Sequence, residues 1–221
     1  MPIQNNRIVK PYIILCEGKD AMLFLIRFLE SKDLGYDARF ANGIQVLDFG
    51  GNENLPAFLK SFKNMEGFDK ISSLLIVRDA ERDAKKAQTD IKGALKNACL
   101  SVPESCNIWV NDKTEDMRIS YTLFPNCSGS AKNGTLEDLC WSILSEENIV
   151  IIKEQITQFI DHLKLKQLRD FPRQFKSRLH TYFSVTDEYV SMKIGEAAAE
   201  NAFDWSSNYL QPLKQLIENG F

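Results

Sequence analysis

Acidic side chains stand in this chain where carboxylates can do metal chemistry. Asp79, Glu81 and Asp83 alternate in Arg78-Asp79-Ala80-Glu81-Arg82-Asp83, and Glu17 follows a short apolar run and precedes Gly18. Carboxylates gathered in one place repel, and one must take up a proton unless a cation offsets the charge. Mg2+ or Mn2+ suits an oxygen-only ligand set and tolerates several waters. Held there, such an ion can polarise a phosphoryl oxygen, activate a water or clamp a leaving group. The i, i+2, i+4 spacing suits a turn leaving a strand, where alternate residues face one side; on a helix an i, i+2 pair diverges. The plainer alternative is surface charge, with Arg78 and Arg82 neutralising the acids as ion pairs.

Several other chemistries lack their residues. The chain has no G-x-x-x-x-G-K-[ST] phosphate loop, no G-x-G-x-x-G after the first apolar run and no G-x-S-x-G elbow. His162 and His180 lie far along the chain from the acids, without partners at ligand spacing. A phospho-accepting Asp79 fits less well, because the first apolar run ends in Glu17 and not in a pair of aspartates. The five cysteines (16, 99, 106, 127 and 140) form no C-x-x-C pair and are odd in number, which predicts buried free thiols.

The elements that must position the acids are legible as alternating apolar runs and amphipathic stretches. Tyr12 to Cys16, Ile44 to Phe49 and Ser73 to Arg78 read as buried strands. Asp20 to Leu34, stopped by Gly35, and Leu55 to Phe62 read as helices, as does the stripe Ala84, Ala87, Ile91, Ala94, Leu95, Ala98. Asn107 to Val110 and Ile119 to Leu123 are weaker strand candidates. Such alternation predicts an α/β fold with a parallel sheet flanked by helices. Sites in such sheets form beyond the carboxyl ends of the strands. There Glu17-Gly18-Lys19-Asp20, Asp48-Phe49-Gly50-Gly51 and Asp79-Ala80-Glu81 would meet, with the glycines allowing close backbone approach. Pro125 to Ser130 marks a loop, and Thr135-Leu136-Glu137-Asp138 begins a helix with Thr135 as its cap. The remainder is mostly helical, broken at Pro172 and between Ser184 and Asp187. This divides the chain into an α/β part, residues 1–144, and a helical extension, residues 145–221, packed on the sheet.

A net charge of −3 leaves nucleic acid only a local patch to bind. The run Lys164, Lys166, Arg169, Arg173, Lys176 and Arg178, with Asp170 inside it, is the candidate, although a solvated helix face is the commoner meaning. The tail aromatics Phe175, Tyr182, Phe183, Tyr189, Phe203, Trp205 and Tyr209 read as core packing more than as a base-stacking platform. The absence of a membrane-length apolar run and of a signal-peptide core predicts a cytoplasmic protein with no membrane partner.

Glu17-Gly18 after a first strand, Gly50-Gly51 after a second and Asp79-x-Glu81 at the end of a third resemble a Toprim domain, the catalytic domain shared by topoisomerases, primases and OLD-family nucleases. The likeness is nearest to small stand-alone Toprim-like proteins grouped as a domain of unknown function. It runs on through Gly134-Thr135-Leu136-Glu137-Asp138-Leu139, Lys193-Ile194-Gly195-Glu196-Ala197-Ala198 and Phe203-Asp204-Trp205. The resemblance implies a Rossmannoid Toprim fold, Mg2+ or Mn2+ as cofactor and a nuclease-like phosphodiester-processing activity on nucleic acid. It implies Glu17 as general acid or base, and Asp79, Glu81, Asp83, Glu137 and Asp20 as metal ligands. Gly18, Lys19, Gly50 and Gly51 would meet phosphate. OLD-type sequences carry an aspartate where this chain has Ala21, with the acid one place earlier at Asp20. One residue turns a starting helix by roughly 100°. The alternative is therefore a non-catalytic Toprim-like module binding metal, nucleotide or a protein partner.

Overall fold

A computed structural model describes residues 7–31, 42–127, 132–145, 149–166 and 174–221. The first strand, β1 (Tyr12–Cys16), leads through Glu17 into α1 (Gly18–Glu30). Then come β2 (Ile44–Asp48), α2 (Leu55–Phe62), β3 (Ser73–Asp79) and α3 (Ala84–Asn97). A short β4 (Val110–Asp112) and a long β5 (Met117–Phe124) complete the sheet. Five further helices follow: α4 (Leu136–Ser142), α5 (Ile149–Leu165), α6 (Gln174–Val185), α7 (Ile194–Ala199) and α8 (Gln211–Gly220).

The five strands lie in the order β2-β1-β3-β5-β4. The first four are parallel, with Cys16 level with Asp48 on one side and with Val77 on the other. β4 runs antiparallel to β5 at the edge, a departure from the all-parallel expectation. Its strand begins at Val110, not at Asn107, because Asn107 takes a left-handed φ of 63° that a ladder does not accommodate. The Asp20–Leu34 helix begins earlier, at Gly18, and its described part closes at Ser31; Gly35 lies outside the described residues. Ser128 to Ser130, Arg169, Asp170, Pro172 and Arg173 lie outside them too.

Side-chain alternation on the strands divides the core into two apolar layers. Ile13, Leu15, Leu74 and Ile76 face α2 and α3. Ile14, Cys16, Leu75 and Val77 face α1 and the helices that follow the sheet. Burial on both faces is why these strands read as unbroken apolar runs. Phe24 of α1 packs among Phe124, Phe203 and Trp205, and Leu179, Tyr182 and Phe183 of α6 are fully buried in the same layer. The later helices thus share their core with the sheet. Phe203, Trp205, Tyr182 and Phe183 are core, whereas Tyr209 is exposed.

Close contacts bring α7 to α1 and α8 to the sheet. Gly195 lies against α1 so closely that a Cβ there would sit 2.5 Å from Leu23 Cβ. At the far end of the sheet Ser73 Oγ donates to Gly220 O at 2.6 Å, and Phe221 stacks on Tyr12 with ring centres 5.3 Å apart. All five cysteines are free, and only Cys99 is exposed. Among the described residues no helix is long and apolar enough to cross a membrane.

Candidate functional site

An open cavity of about 540 Å3 lies beyond the carboxyl ends of β1, β2 and β3. Its walls are Glu17 to Ala21 from the β1–α1 junction, Gly50 to Glu53 after β2, and Asp79 and Glu81 after β3. Leu136 and Glu137 of α4, Lys176 of α6 and Ile194 of α7 close it. The strand-end acids thus meet an acid from more than fifty residues downstream.

Local hydrogen bonds explain how. Asp48 is buried, and its Oδ1 accepts the backbone N–H of Gly18 at 2.7 Å and of Gly50 at 2.6 Å. Both glycines are left-handed, φ 85° and 84°, a conformation that a residue with a Cβ adopts only with strain. One carboxylate therefore holds two rims of the cavity. On the other side, Glu81 (φ 55°) exchanges two backbone hydrogen bonds with Gly134, each 2.7 Å. Asn133 accepts from Ala84 N and donates to Arg82 O. Asp79 Oδ1 accepts the N–H of Leu136 at 2.8 Å, which seats the first turn of α4, and hence Glu137, beside the strand ends. The capping reading of Thr135 holds: its N–H donates to Asp138 Oδ2 at 2.8 Å.

The electrostatics follow from this crowding. Burial raises the pKa of Glu17 to about 7; the Arg78 guanidinium, whose Nε lies 3.8 Å from Oε2, pulls it down in part, and Glu81 pushes it up again. Glu17 Oε2 is buried without a hydrogen-bond partner among the described residues. Asp79 is pushed well above the carboxylate range by burial, then by Glu137 and Glu17, against the opposing Leu136 N–H. Burial alone would raise Glu137, but its bond to Lys176 Nζ and that charge outweigh it and hold the carboxyl below its ordinary range. Three acids thus share one region. Burial favours the protonated form of Asp79 and brings Glu17 to titrate near neutrality, while the Lys176 ammonium keeps Glu137 ionised.

Not every expected ligand converges. Asp83 does not line the cavity: it caps α3, its Oδ1 accepting Lys86 N–H at 3.0 Å, so the i, i+4 member of the triplet is spent on the helix start. Asp20 and Ala21 both line the cavity; Asp20 Oδ1 lies 3.4 Å from the N–H of Gly195, and the buried Ala21 also packs with the α1 core layer. Among the described residues no group of three His, Cys, Asp or Glu side chains stands arranged to hold an ion. Lys176 places its ammonium on Glu137 instead. Of the other members of the basic run among the described residues, Arg178 faces Asp161 at 4.0 Å, and Lys164 and Lys166 lie at the end of α5. His162 and His180 lie on α5 and α6, outside the cavity lining.

Residues 11–221 match the family described as "Protein of unknown function (DUF3226)". The chain belongs to that family. No curated protein and no solved structure matches it.

The family match spans both the sheet and the helices that close the cavity, so the site lies within the matched segment. Two of its residues carried little sequence signal. Asp48 was visible only as a polar strand end, and Lys176 only as one member of a basic run; their roles depend on which backbone folds beside them.

Proposed function

We propose that this chain is a Mg2+- or Mn2+-dependent phosphodiester-processing protein, nuclease-like, acting on nucleic acid through a Toprim-type site. The observation that carries the reading is the convergence of Glu17, Asp79, Glu81 and Glu137 on one open cavity at the strand ends. The donor set has the chemistry that a hard divalent cation takes, and its carboxylates would have to draw together by side-chain rotation to share one ion. The set is all oxygen, Glu17 Oε2 is buried with no hydrogen bond among the described residues, and an ammonium already rests on Glu137. Glu17, Asp79, Glu81 and Glu137 would hold the ion; bound there, it would polarise a phosphoryl oxygen and make a water more acidic.

The chain's own groups supply the rest. Glu17, which without an ion titrates at about 7, can give up its proton near neutrality when the cation or the substrate arrives. Asp48 keeps the Gly18 and Gly50 rims in place, so that backbone can approach a phosphate closely. Lys176 balances the charge of Glu137 at the cavity wall.

Cleavage of a panel of DNA and RNA substrates in Mn2+ tests the proposal. Activity is expected in the unaltered protein and is lost in Glu17→Gln and in Asp79→Asn; cleavage that survives both substitutions refutes it. An alanine at cavity position 21 and Asp20 Oδ1 facing the N–H of Gly195 favour a second reading, a Toprim-like module that binds metal, nucleotide or a protein partner without turnover. Stabilisation by Mn2+ with no cleavage of any substrate selects that reading.

A further inference from the structure

Across the rim formed by Asn52 and Glu53, a second cavity of about 540 Å3 opens between α2 and α3. Arg78 reaches it from β3, and Lys86, Thr89 and Asp90 of α3 form one wall. Arg78 is only 6% exposed, yet its Nε has no hydrogen-bond partner among the described residues. Its carboxylate neighbours remain at ion-pair range, Glu17 at 3.8 Å from Nε and Asp90 at 3.6 Å from Nη2. Nε is closed off beside Glu17, so a ligand in this cavity meets the Nη groups, for which no hydrogen bond is formed among the described residues. A guanidinium held only at ion-pair range is costly unless an oxyanion completes it, and its planar fork matches phosphate. Because Asn52 and Glu53 line both cavities, a chain of phosphates crossing this rim runs from the acidic cluster to Arg78.

We propose that the second cavity is a phosphate-binding subsite, with Arg78 as its contact residue and Lys86 beside it. It holds a phosphate next to the one processed at the acidic cavity, and in that respect rests on the phosphodiester reading above. Asp90, bonded to Lys86 at 2.8 Å, is the internal anion that the phosphate displaces. Glu53 and Asp90 offset the charge of Arg78 and Lys86, so a lone phosphate binds weakly.

The test is titration of inorganic phosphate in EDTA, followed by calorimetry and thermal shift. The unaltered protein binds phosphate; Asp90→Asn, at an exposed position, tightens binding several-fold, and Lys86→Ala weakens it. Arg78→Lys keeps the charge but loses the fork, and weakens binding about tenfold. Should Arg78→Lys fail to fold, the two exposed variants decide. No binding by either the unaltered protein or Asp90→Asn overturns the subsite, and so does binding that none of the variants changes. A 5′-phosphorylated dinucleotide that gains affinity through Arg78 assigns the subsite to a nucleic-acid backbone; affinity equal to that of inorganic phosphate assigns it to a free phosphate compound. EDTA removes the metal from the question, so failure of the acidic cavity leaves this result untouched. Conversely, Mn2+ binding without phosphate binding overturns the subsite alone.

Discussion

Replacing Glu17 by glutamine isolates the electrostatic load at the acidic cavity. Glu17 rises from its ordinary 4.5 to about 7 on folding, chiefly through burial. The folded chain therefore binds that proton more tightly than the unfolded chain, and stability falls as pH rises between about 4.5 and 7. Above 7 the loss is complete. At about 1.4 kcal/mol per pH unit it amounts to about 3 kcal/mol. Glutamine keeps the shape without the charge, and Arg78 keeps Asp90 as a partner at 3.6 Å. Metal-free Glu17→Gln is therefore expected to be the more stable protein at pH 8, by up to about 3 kcal/mol. For a chain of this size that is roughly 6 to 12 °C in Tm. The two proteins should converge near pH 4.5. Mn2+ should raise the Tm of the unaltered protein at pH 8 and leave Glu17→Gln nearly unmoved. Thermal denaturation across this pH range, in EDTA and in Mn2+, measures both effects. A Glu17→Gln variant no more stable than its parent at pH 8, or a gap independent of pH, refutes the reasoning.

Three further outcomes follow from the same contacts. Lys176→Met leaves Glu137 buried without its ammonium, which should destabilise the metal-free protein by about 3 kcal/mol and tighten Mn2+ binding in calorimetry; unchanged affinity would show that Lys176 and the ion do not compete. Asp112 accepts the N–H groups of Ser101, Thr114 and Glu115. Burial opposes its ionisation, but these bonds outweigh it and lower its pKa, so its stabilisation is present above about pH 4 and fades in stronger acid. Asp112→Asn should lose about 2 kcal/mol at pH 7 by urea denaturation, with a gap that closes in strong acid. Gly195→Val drives a side chain into Leu23 and should cost about 1–3 kcal/mol; a variant as stable as its parent would show that α7 can shift away from α1.

The sequence determined the sheet because its signals are local. Three buried strands and the helices between them follow from apolar runs and from stripes at helical spacing, and the turn at Gly50 follows from the backbone freedom of glycine. It also marked Glu17, Asp79 and Glu81, since strand ends of a parallel sheet gather at one edge. Tertiary structure decided which acids share the cavity. Asp83 is withdrawn because its carboxylate caps α3, an option that alternation along the chain does not reveal. Glu137 is recruited because Asp79 and Gly134 anchor the start of α4 beside β3. Lys176 arrives on a helix nearly a hundred residues beyond β3, and Asp48 acts through two backbone N–H groups from different loops. Residue type and spacing nominate a carboxylate. Whether it faces a metal, a helix end or an ammonium depends on long-range packing, because each of these partners satisfies the same charge.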